Sequence, residues 1–87
     1  MVYVDDARHP LGQMLMCHML ADTTDELLAM ADAIGLQRRW IQKPGAPDEH
    51  FDVSRSKRLE AIRHGAREVS SRDLVAVIRR KRALTPK

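Results

Sequence analysis

The fold is decided by one stretch of sequence, Met14-Leu15-Met16-Cys17-His18-Met19-Leu20-Ala21, in which every residue except His18 is apolar. Successive side chains of a β-strand point to opposite faces, so His18 and Leu20 would lie on one face and Cys17 on the other. Because both faces are apolar, the pattern predicts a strand that is buried on both sides. Asp22 follows the stretch and ends the predicted strand.

Upstream and downstream of this strand, the sequence predicts a second strand and a helix. The segment Val2-Tyr3-Val4 is β-branched and aromatic, and it predicts a short strand that ends at Asp5-Asp6. Thr23 and Glu26 have the spacing of a capping box, which is typical of the first turn of a helix. Gly35 is predicted to end that helix.

The second half of the chain continues the alternation. Residues 38–42 are predicted to form a strand, and residues 43–49, with two prolines and a glycine, a surface loop. A helix capped by Ser54 or Asp52 would run to Gly65, followed by a brief strand and a last helix that Ser70 or Ser71 caps.

Helices that alternate with strands imply parallel pairing with right-handed crossovers. The sequence therefore predicts an α/β fold with a small three- or four-stranded sheet, mostly parallel, and about three helices. We expect a single α/β domain over residues 1–84 and a flexible C-terminal tail over residues 85–87.

Composition excludes several classes of protein. The 87 residues have the length of one domain, and no apolar run approaches the roughly 18 residues that a membrane-spanning helix needs. The single cysteine, Cys17, cannot form an internal disulfide, which favours a cytoplasmic protein. The sequence contains neither a phosphate-binding glycine loop nor paired cysteines, so P-loop and zinc-ribbon functions are not expected.

Several motifs resemble a known family. They are Val2-Tyr3-Val4-Asp5-Asp6-Ala7-Arg8, Met16-Cys17-His18-Met19-Leu20-Ala21-Asp22-Thr23, Arg39-Trp40, His50-Phe51-Asp52-Val53-Ser54, Ser56-Lys57-Arg58 and Gly65-Ala66. In this order they resemble a bacterial and phage family, the domain of unknown function numbered four thousand and thirty-one in its series. The resemblance extends to about Val69, and it implies a cytoplasmic or phage-encoded domain with no established activity.

Carboxylates and histidines fall at the predicted strand ends, where α/β folds bind their ligands. Asp5, Asp6 and Asp22 follow the first two strands, and their oxygen atoms are predicted to bind Mg²⁺ or Mn²⁺. His50 and Asp52 lie before the second helix. The hypothesis of a metal-assisted phosphodiesterase therefore takes Asp5, Asp6, His50 and Asp52 as catalytic residues.

The same residues also have structural interpretations. An aspartate after a strand commonly turns the chain or caps a helix, which would account for Asp22 and Asp52. His18 lies in an apolar strand and is predicted to be buried and hydrogen-bonded to a neighbouring carboxylate or carbonyl.

The net charge of +3 conceals a strong segregation of charge. Residues 1–52 hold four Lys/Arg against nine Asp/Glu, whereas residues 53–87 hold eleven against three. Such a basic half is typical of proteins that contact the phosphate backbone of nucleic acid. The residues expected to make phosphate contacts are Arg55, Lys57, Arg58, Arg79, Arg80, Lys81 and Arg82.

Three functions therefore stay open. The sequence favours a nucleic-acid-binding accessory domain that needs no cofactor, with the metal-assisted phosphodiesterase as the alternative. In the third, the basic half binds an acidic protein surface or the acidic half of a second copy in a homodimer. Trp40 and Phe51 are interpreted as core residues, with stacking on nucleobases at the edge of the domain as a second role.

Overall fold

The chain forms one sheet with helices on both faces, and the computed structural model describes residues 1–84 of it. The α/β class is confirmed, with five strands and three α-helices among the described residues. The predicted tail over residues 85–87 lies outside them. In chain order the elements are β1 (Val2–Val4), β2 (His9–Leu11), β3 (Met14–Ala21), α1 (Thr24–Ala33), a 3₁₀ turn (Arg38–Trp40), β4 (Phe51–Ser54), α2 (Arg55–Arg63), β5 (Arg67–Glu68) and α3 (Ser71–Leu84).

Strand β3 is the centre of the sheet because it pairs along both of its edges. β4 lies antiparallel along one edge, with Cys17 opposite Val53 and His18 opposite Asp52. β1 and β2 lie antiparallel along the other edge, and β5 extends the sheet in parallel to β1. The prediction of a mostly parallel sheet is therefore wrong, since β1 and β5 form the only parallel pair within residues 1–84.

The connections explain why the sheet is mostly antiparallel. β2 and β3 form a hairpin that turns at Gly12, whose positive φ of 61° suits glycine. Residues 38–42, predicted to be a strand, instead form the 3₁₀ turn, and Gln42 makes only an isolated bridge to His50. Helix α1 therefore does not lead into a parallel strand, and β4 enters the sheet antiparallel to β3.

A bulge separates β1 from β2 along the same edge of β3. Val4 pairs with Met19 and His9 pairs with Met16, so residues 5–8 lie opposite only two residues of β3. The Asp5 carboxylate enters this gap and accepts a hydrogen bond from the backbone N–H of His18. The bulge thus brings a buried acid into the sheet beside His18.

The two faces of the sheet have separate cores. The core between one face of the sheet and the helices α1 and α2 contains residues that are at most 1% exposed, among them Val4, Cys17, Met19, Leu27, Phe51 and Val53. On the other face, Tyr3 and Leu20 pack against α3. Along β3 on this second face, exposure rises from 2% at Leu20 to 32% at His18 and 53% at Met14. The His18 end of this face is therefore less well covered than the Leu20 end.

Hydroxyl side chains cap the helices and leave the nearby acids available. Thr23 accepts a hydrogen bond from the backbone of Glu26 at the start of α1, and Ser54 accepts one from Lys57 at the start of α2. Asp22 and Asp52 therefore do not cap these helices. No helix of residues 1–84 has the length and apolar character needed to cross a membrane.

Candidate metal centre

Three strands bring histidines and an aspartate to the open part of the α3 face of the sheet. His18 lies on β3 directly opposite Asp52 of β4, so the two side chains project from the same face. His9 on β2 pairs with Met16, two residues from His18, and therefore also projects from this face. His50 immediately precedes β4 and lies two residues from Asp52.

The imidazole groups converge on one carboxylate oxygen. The Oδ1 atom of Asp52 lies 3.9 Å from Nε2 of His9, 3.9 Å from Nε2 of His18 and 3.7 Å from Nε2 of His50. The His9 and His18 rings stack with centroids 4.7 Å apart, and the His50 ring meets His18 edge-on. His9, His18 and Asp52 each offer one ligand atom, and these atoms lie within 4.8 Å of one another.

These separations are close to those of a metal site. With metal–ligand bonds of about 2.0–2.1 Å, tetrahedral geometry places neighbouring ligand atoms about 3.3 Å apart. The 3.9 Å between Asp52 Oδ1 and each of the His9 and His18 nitrogens exceeds this by a fraction of an ångström, and all three ligand atoms lie within 4.8 Å of one another. Binding of one ion would therefore draw the three side chains closer together.

Neighbouring groups fix the orientation of the converging side chains. Nδ1 of His18 lies 2.8 Å from Oδ2 of Asp5, and Nδ1 of His50 lies 2.8 Å from the Asp48 carbonyl oxygen. Because that carbonyl can only accept, Nδ1 of a neutral His50 carries the proton and its Nε2 keeps a lone pair. Gln42 donates a hydrogen bond of 3.0 Å to Oδ2 of Asp52, which leaves Oδ1 facing the histidines. Hydrogen bonds of this kind commonly orient the side chains that bind a metal ion.

Asp5 orients His18 from within the fold. Its side chain is 1% exposed and accepts hydrogen bonds from the backbone N–H of His18 at 2.7 Å and of Ala7 at 3.3 Å. The Ser71 hydroxyl, at the start of α3, donates a further one of 3.4 Å. A buried carboxylate that faces donors from several elements is a positioning group. Asp5 therefore differs from the direct metal ligand that the sequence predicts.

The centre opens to two concavities. A cavity of about 240 Å³ lies between the sheet and α3 and is lined by Asp5, His18, Leu20, Asp48, His50, Ser71, Leu74, Val75 and Ile78. A larger groove of about 710 Å³ includes Asp52 and the exposed Trp40 in its lining. A small molecule can therefore approach the converging side chains from either side of Asp52.

The other predicted acids lie elsewhere. Asp6 is exposed and pairs with Arg8, whose hydrogen bond lowers the pKa of the Asp6 carboxyl. Asp22 accepts hydrogen bonds from Tyr3 and Arg80. Partial burial opposes ionisation of Asp22, but these donors outweigh it and lower its pKa. The structure thus brings together Asp5, His50 and Asp52 but not Asp6 or Asp22.

His9 is the member of the cluster that sequence reasoning does not identify. It follows Arg8, whose positive φ of 51° belongs to the bulge, and precedes Pro10, so the local pattern indicates only a turn. For the rest of the cluster, one usable sequence signal was the spacing of His50 and Asp52. Two residues apart on an extended chain, these side chains share a face.

The basic residues separate into two groups. The Lys57 ammonium donates to the Ile34 carbonyl, Arg58 donates to the Asp5 carbonyl and binds Glu68, and Arg80 binds Asp22. Lys81 is partly buried, and desolvation lowers the pKa of its ammonium group. The remaining three of the seven, Arg55, Arg79 and Arg82, are exposed.

Comparison with known proteins identifies a family. No curated protein and no solved structure matches the chain. One family model, described as "Protein of unknown function (DUF4031)", matches residues 2–81. The matched region begins in β1, just before Asp5, and ends in α3, which borders the cavity. It confirms the resemblance carried by the sequence motifs, and the chain belongs to the DUF4031 family.

Proposed function

We propose that this protein is a metal-dependent phosphodiesterase that binds one divalent transition-metal ion through His9, His18 and Asp52. The observation that carries the proposal is the convergence of three imidazole Nε2 atoms on one oxygen of Asp52, at 3.7–3.9 Å. Nδ1 of His18 and Nδ1 of His50 each face an oxygen acceptor, so their neutral rings present a lone pair at Nε2, and this lone pair repels a carboxylate oxygen. A cation between these atoms turns the repulsion into coordination.

Protonation of the histidines is the competing explanation. Each imidazolium would be attracted to Asp52, but the stacked His9 and His18 rings have centroids only 4.7 Å apart and would repel each other if both were charged. A single metal ion would be coordinated by His9, His18 and Asp52 together, with His50 beside it. The donor set therefore supports metal binding better than a cluster of charged histidines.

The donor atoms favour particular metals. Imidazole nitrogen together with one carboxylate suits Zn²⁺, Fe²⁺, Co²⁺, Ni²⁺ or Mn²⁺, whereas Mg²⁺ prefers a shell made only of oxygen. Of the two ions predicted from the sequence, Mn²⁺ is therefore compatible with this donor set. Mg²⁺ is disfavoured because Asp6 and Asp22 do not approach the histidines.

A metal ion held by His9, His18 and Asp52 would supply an activated water as the nucleophile. Catalytic sites commonly combine three protein ligands with one water, whose pKa the metal lowers to about 7. His50 faces the same Asp52 oxygen at 3.7 Å and has an unprotonated Nε2, so it is placed to accept the proton of the attacking water. The water oxygen bonds to phosphorus, the bond from phosphorus to the leaving oxygen breaks, and the proton passes from His50 to that oxygen.

The charges around the centre support a phosphodiester substrate. Arg55 and Arg58 both act electrostatically on Asp6, in the bulge that carries Asp5, and Arg82 acts on Asp48 beside His50. Of these cations, Arg55 and Arg82 are exposed and would attract an anionic substrate, whereas Arg58 is engaged with Glu68. Cys17 is buried and unpaired, and we place the activity in a reducing cytoplasm.

The proposal is tested by titration calorimetry of the full chain with Zn²⁺ and Mn²⁺, followed by hydrolysis of bis-p-nitrophenyl phosphate with and without EDTA. We expect one ion per chain, and hydrolysis that EDTA abolishes. His9→Ala and Asp52→Asn should lose both metal binding and hydrolysis. His50→Gln should keep the metal and lose most of the hydrolysis rate, by about 100-fold or more.

The chain offers a matched control for the histidine variants. His64 is the remaining histidine of the four, and it lies exposed at the end of α2, away from the cluster. His64→Ala should therefore bind metal as the unaltered protein does. Absence of heat with either ion, or an equal loss in His64→Ala and His9→Ala, would overturn the proposal.

A second candidate function is binding of nucleic acid without catalysis. The observation in its favour is that Arg55, Arg79 and Arg82 are exposed and make no ion pair with another residue of the described chain. Against it, Lys57, Arg58 and Arg80 are engaged within the fold. Tight binding of an uncut oligonucleotide by a protein that binds no metal would favour this candidate over the phosphodiesterase.

A further inference from the structure

We infer that the groove beside Asp52 binds single-stranded nucleic acid, with one base stacked on Trp40 and a phosphate bound by Arg39. This inference rests on the proposed function, because it assigns the substrate class of the metal centre. The groove has a volume of about 710 Å³ and is lined by Met14, Met16, Leu36, Arg39, Trp40, Ile41, Gln42, Asp52, Ser54 and Lys57.

Trp40 supplies the stacking surface. It lies in the 3₁₀ turn after α1, and 51% of the residue is exposed in a groove that both apolar and polar side chains line. The structure thus departs from the interpretation of Trp40 as a core residue, whereas Phe51 is buried in the core at 1% exposure. An exposed indole beside a groove is a common platform for an unpaired base, because every base has an aromatic face.

Arg39 supplies the charge. Its side chain is exposed, and no ion pair or hydrogen bond joins it to another side chain within the described residues. Its neighbour Arg38 is different, because its Nε and Nη2 atoms donate to the Asp32 carboxylate, at 3.0 and 2.7 Å. Two adjacent arginines thus differ in availability, and the available one lines the groove.

The groove leads to the metal centre through Asp52. Oδ2 of Asp52 binds Gln42, which lines the groove, and Oδ1 faces the three histidines. The described lining holds Asp52 as its one acid, and Lys57 there is bound to the Ile34 carbonyl and paired with Glu60. A strand that stacks on Trp40 therefore has Arg39 as its phosphate partner and reaches the proposed hydrolytic centre beside Asp52.

A flexible single strand fits these features better than a duplex. Stacking on Trp40 needs a base that is free of its partner, and a single strand presents such bases without the cost of unpairing. The groove also offers one stacking residue, Trp40, and one arginine, Arg39, which is enough to contact a short stretch of nucleic-acid backbone. We therefore expect a clear preference for single-stranded over double-stranded DNA of the same length.

The test uses the fluorescence of Trp40, which is the only tryptophan in the sequence. The full chain is titrated with an oligothymidine of about 12 nucleotides, a length within the range bound by single-strand-binding modules. The titration is run on the protein as purified and again with EDTA, at about 50 mM salt and at higher salt. We expect saturable quenching that weakens as the salt concentration rises.

Variants assign the roles of the two residues. Binding of a labelled oligonucleotide, followed by anisotropy, should weaken by about tenfold or more in Trp40→Ala and by much less in Trp40→Phe, which keeps an aromatic face. Arg39→Gln should weaken binding and reduce the slope of log K against log salt by about 0.7, the value for one phosphate contact on a single strand. Arg38→Gln is the matched control and should change binding less than twofold.

Several outcomes would overturn the inference. These are no quenching at millimolar oligonucleotide, equal binding of a duplex, or equal effects of Arg38→Gln and Arg39→Gln. Burial of Trp40 by dimerisation of the protein alone, detected by sedimentation, would also overturn it. Metal binding without oligonucleotide binding would leave the metal centre intact and refute only the groove. Oligonucleotide binding without metal binding would support the groove and refute the proposed phosphodiesterase.

Discussion

Cys17 and His18 are neighbours on β3, and they show how differently the two faces of this sheet are used. Cys17 is fully buried between the sheet and the helices α1 and α2. His18 projects from the opposite face, where α3 covers Leu20 but leaves the histidine partly exposed. The comparison teaches that the apolar core stabilises the strands, while the candidate centre forms where the helical layer ends.

The largest expected effect is on the packed face. Met19→Ala removes a fully buried side chain from the core between β3, α1 and α2, and should lower the free energy of unfolding by about 2–5 kcal/mol. Denaturation by urea in the presence of EDTA measures this change. Met19→Leu, which conserves volume, should lose less than about 1.5 kcal/mol. An unchanged midpoint in Met19→Ala would contradict the assignment of this face as the main core.

On the open face, we expect a substitution to lower the affinity for metal without lowering stability. His9→Ala should lower the affinity for Zn²⁺ by more than about 100-fold, because removal of a ligand costs more than loss of a second-shell partner. Its stability in EDTA should stay within about 0.5 kcal/mol of the unaltered protein, since His9 is partly exposed and its Nδ1 has no partner within residues 1–84. If His9→Ala were strongly destabilised but kept its affinity for Zn²⁺, the assignment of this face to metal binding would be contradicted.

Asp5→Asn should affect both properties, because Asp5 lies where the two regions meet. Loss of the carboxylate that holds Nδ1 of His18 should lower Zn²⁺ affinity by about 10- to 100-fold. The asparagine also leaves donors in the bulge without a full set of acceptors, which should cost about 1–3 kcal/mol of stability. Calorimetry and urea denaturation on the same sample separate the two effects. A change in stability alone would limit Asp5 to a structural role.

The smallest effect is expected at Asp22, at the covered end of the open face. Asp22→Asn weakens the links to Tyr3 and Arg80 and should cost about 1 kcal/mol, a value reduced for solvent screening. The native pKa of Asp22 is lowered, so its ionised form stabilises the fold above the ordinary pKa of about 3.9. The difference between Asp22→Asn and the unaltered protein should disappear as the pH falls through the native pKa. Thermal unfolding at pH 7 and at a series of lower pH values checks this, since the difference should begin to shrink below about pH 3.9.

Local sequence information predicts much of this fold. The alternation of Met14 to Ala21 gives β3 its two faces, and the hydroxyl caps Thr23 and Ser54 mark the starts of two helices. Strand direction was not predictable, because it depends on whether residues 38–42 pair with a neighbour. That segment has a strand-like composition but turns instead, with Trp40 exposed at its end. Tertiary contacts decide between these outcomes, and the local pattern does not contain them.

The candidate site is predictable only in part, for a similar reason. Asp5, His50 and Asp52 were predicted from presumed strand ends, but Asp52 lies within β4 and His50 just before it. The structure nevertheless brings these three together with His18. His9 was not predicted, since its position above His18 depends on the bulge formed by residues 5–8. The bulge sets the register of both β1 and β2 against β3. Such a register depends on contacts between residues far apart in the sequence, which a local pattern does not show.

That bulge also determines where the chain tolerates a change in length. An extra residue between Asp6 and Arg8 would enlarge an exposed loop, and the strands on either side could keep their pairing. An extra residue between Cys17 and His18 would instead shift the remainder of β3 by one position and exchange its two faces. The histidine end and the apolar end of the strand would then belong to opposite sides of the sheet. Natural insertions and deletions should therefore collect in the bulge and be absent from β3.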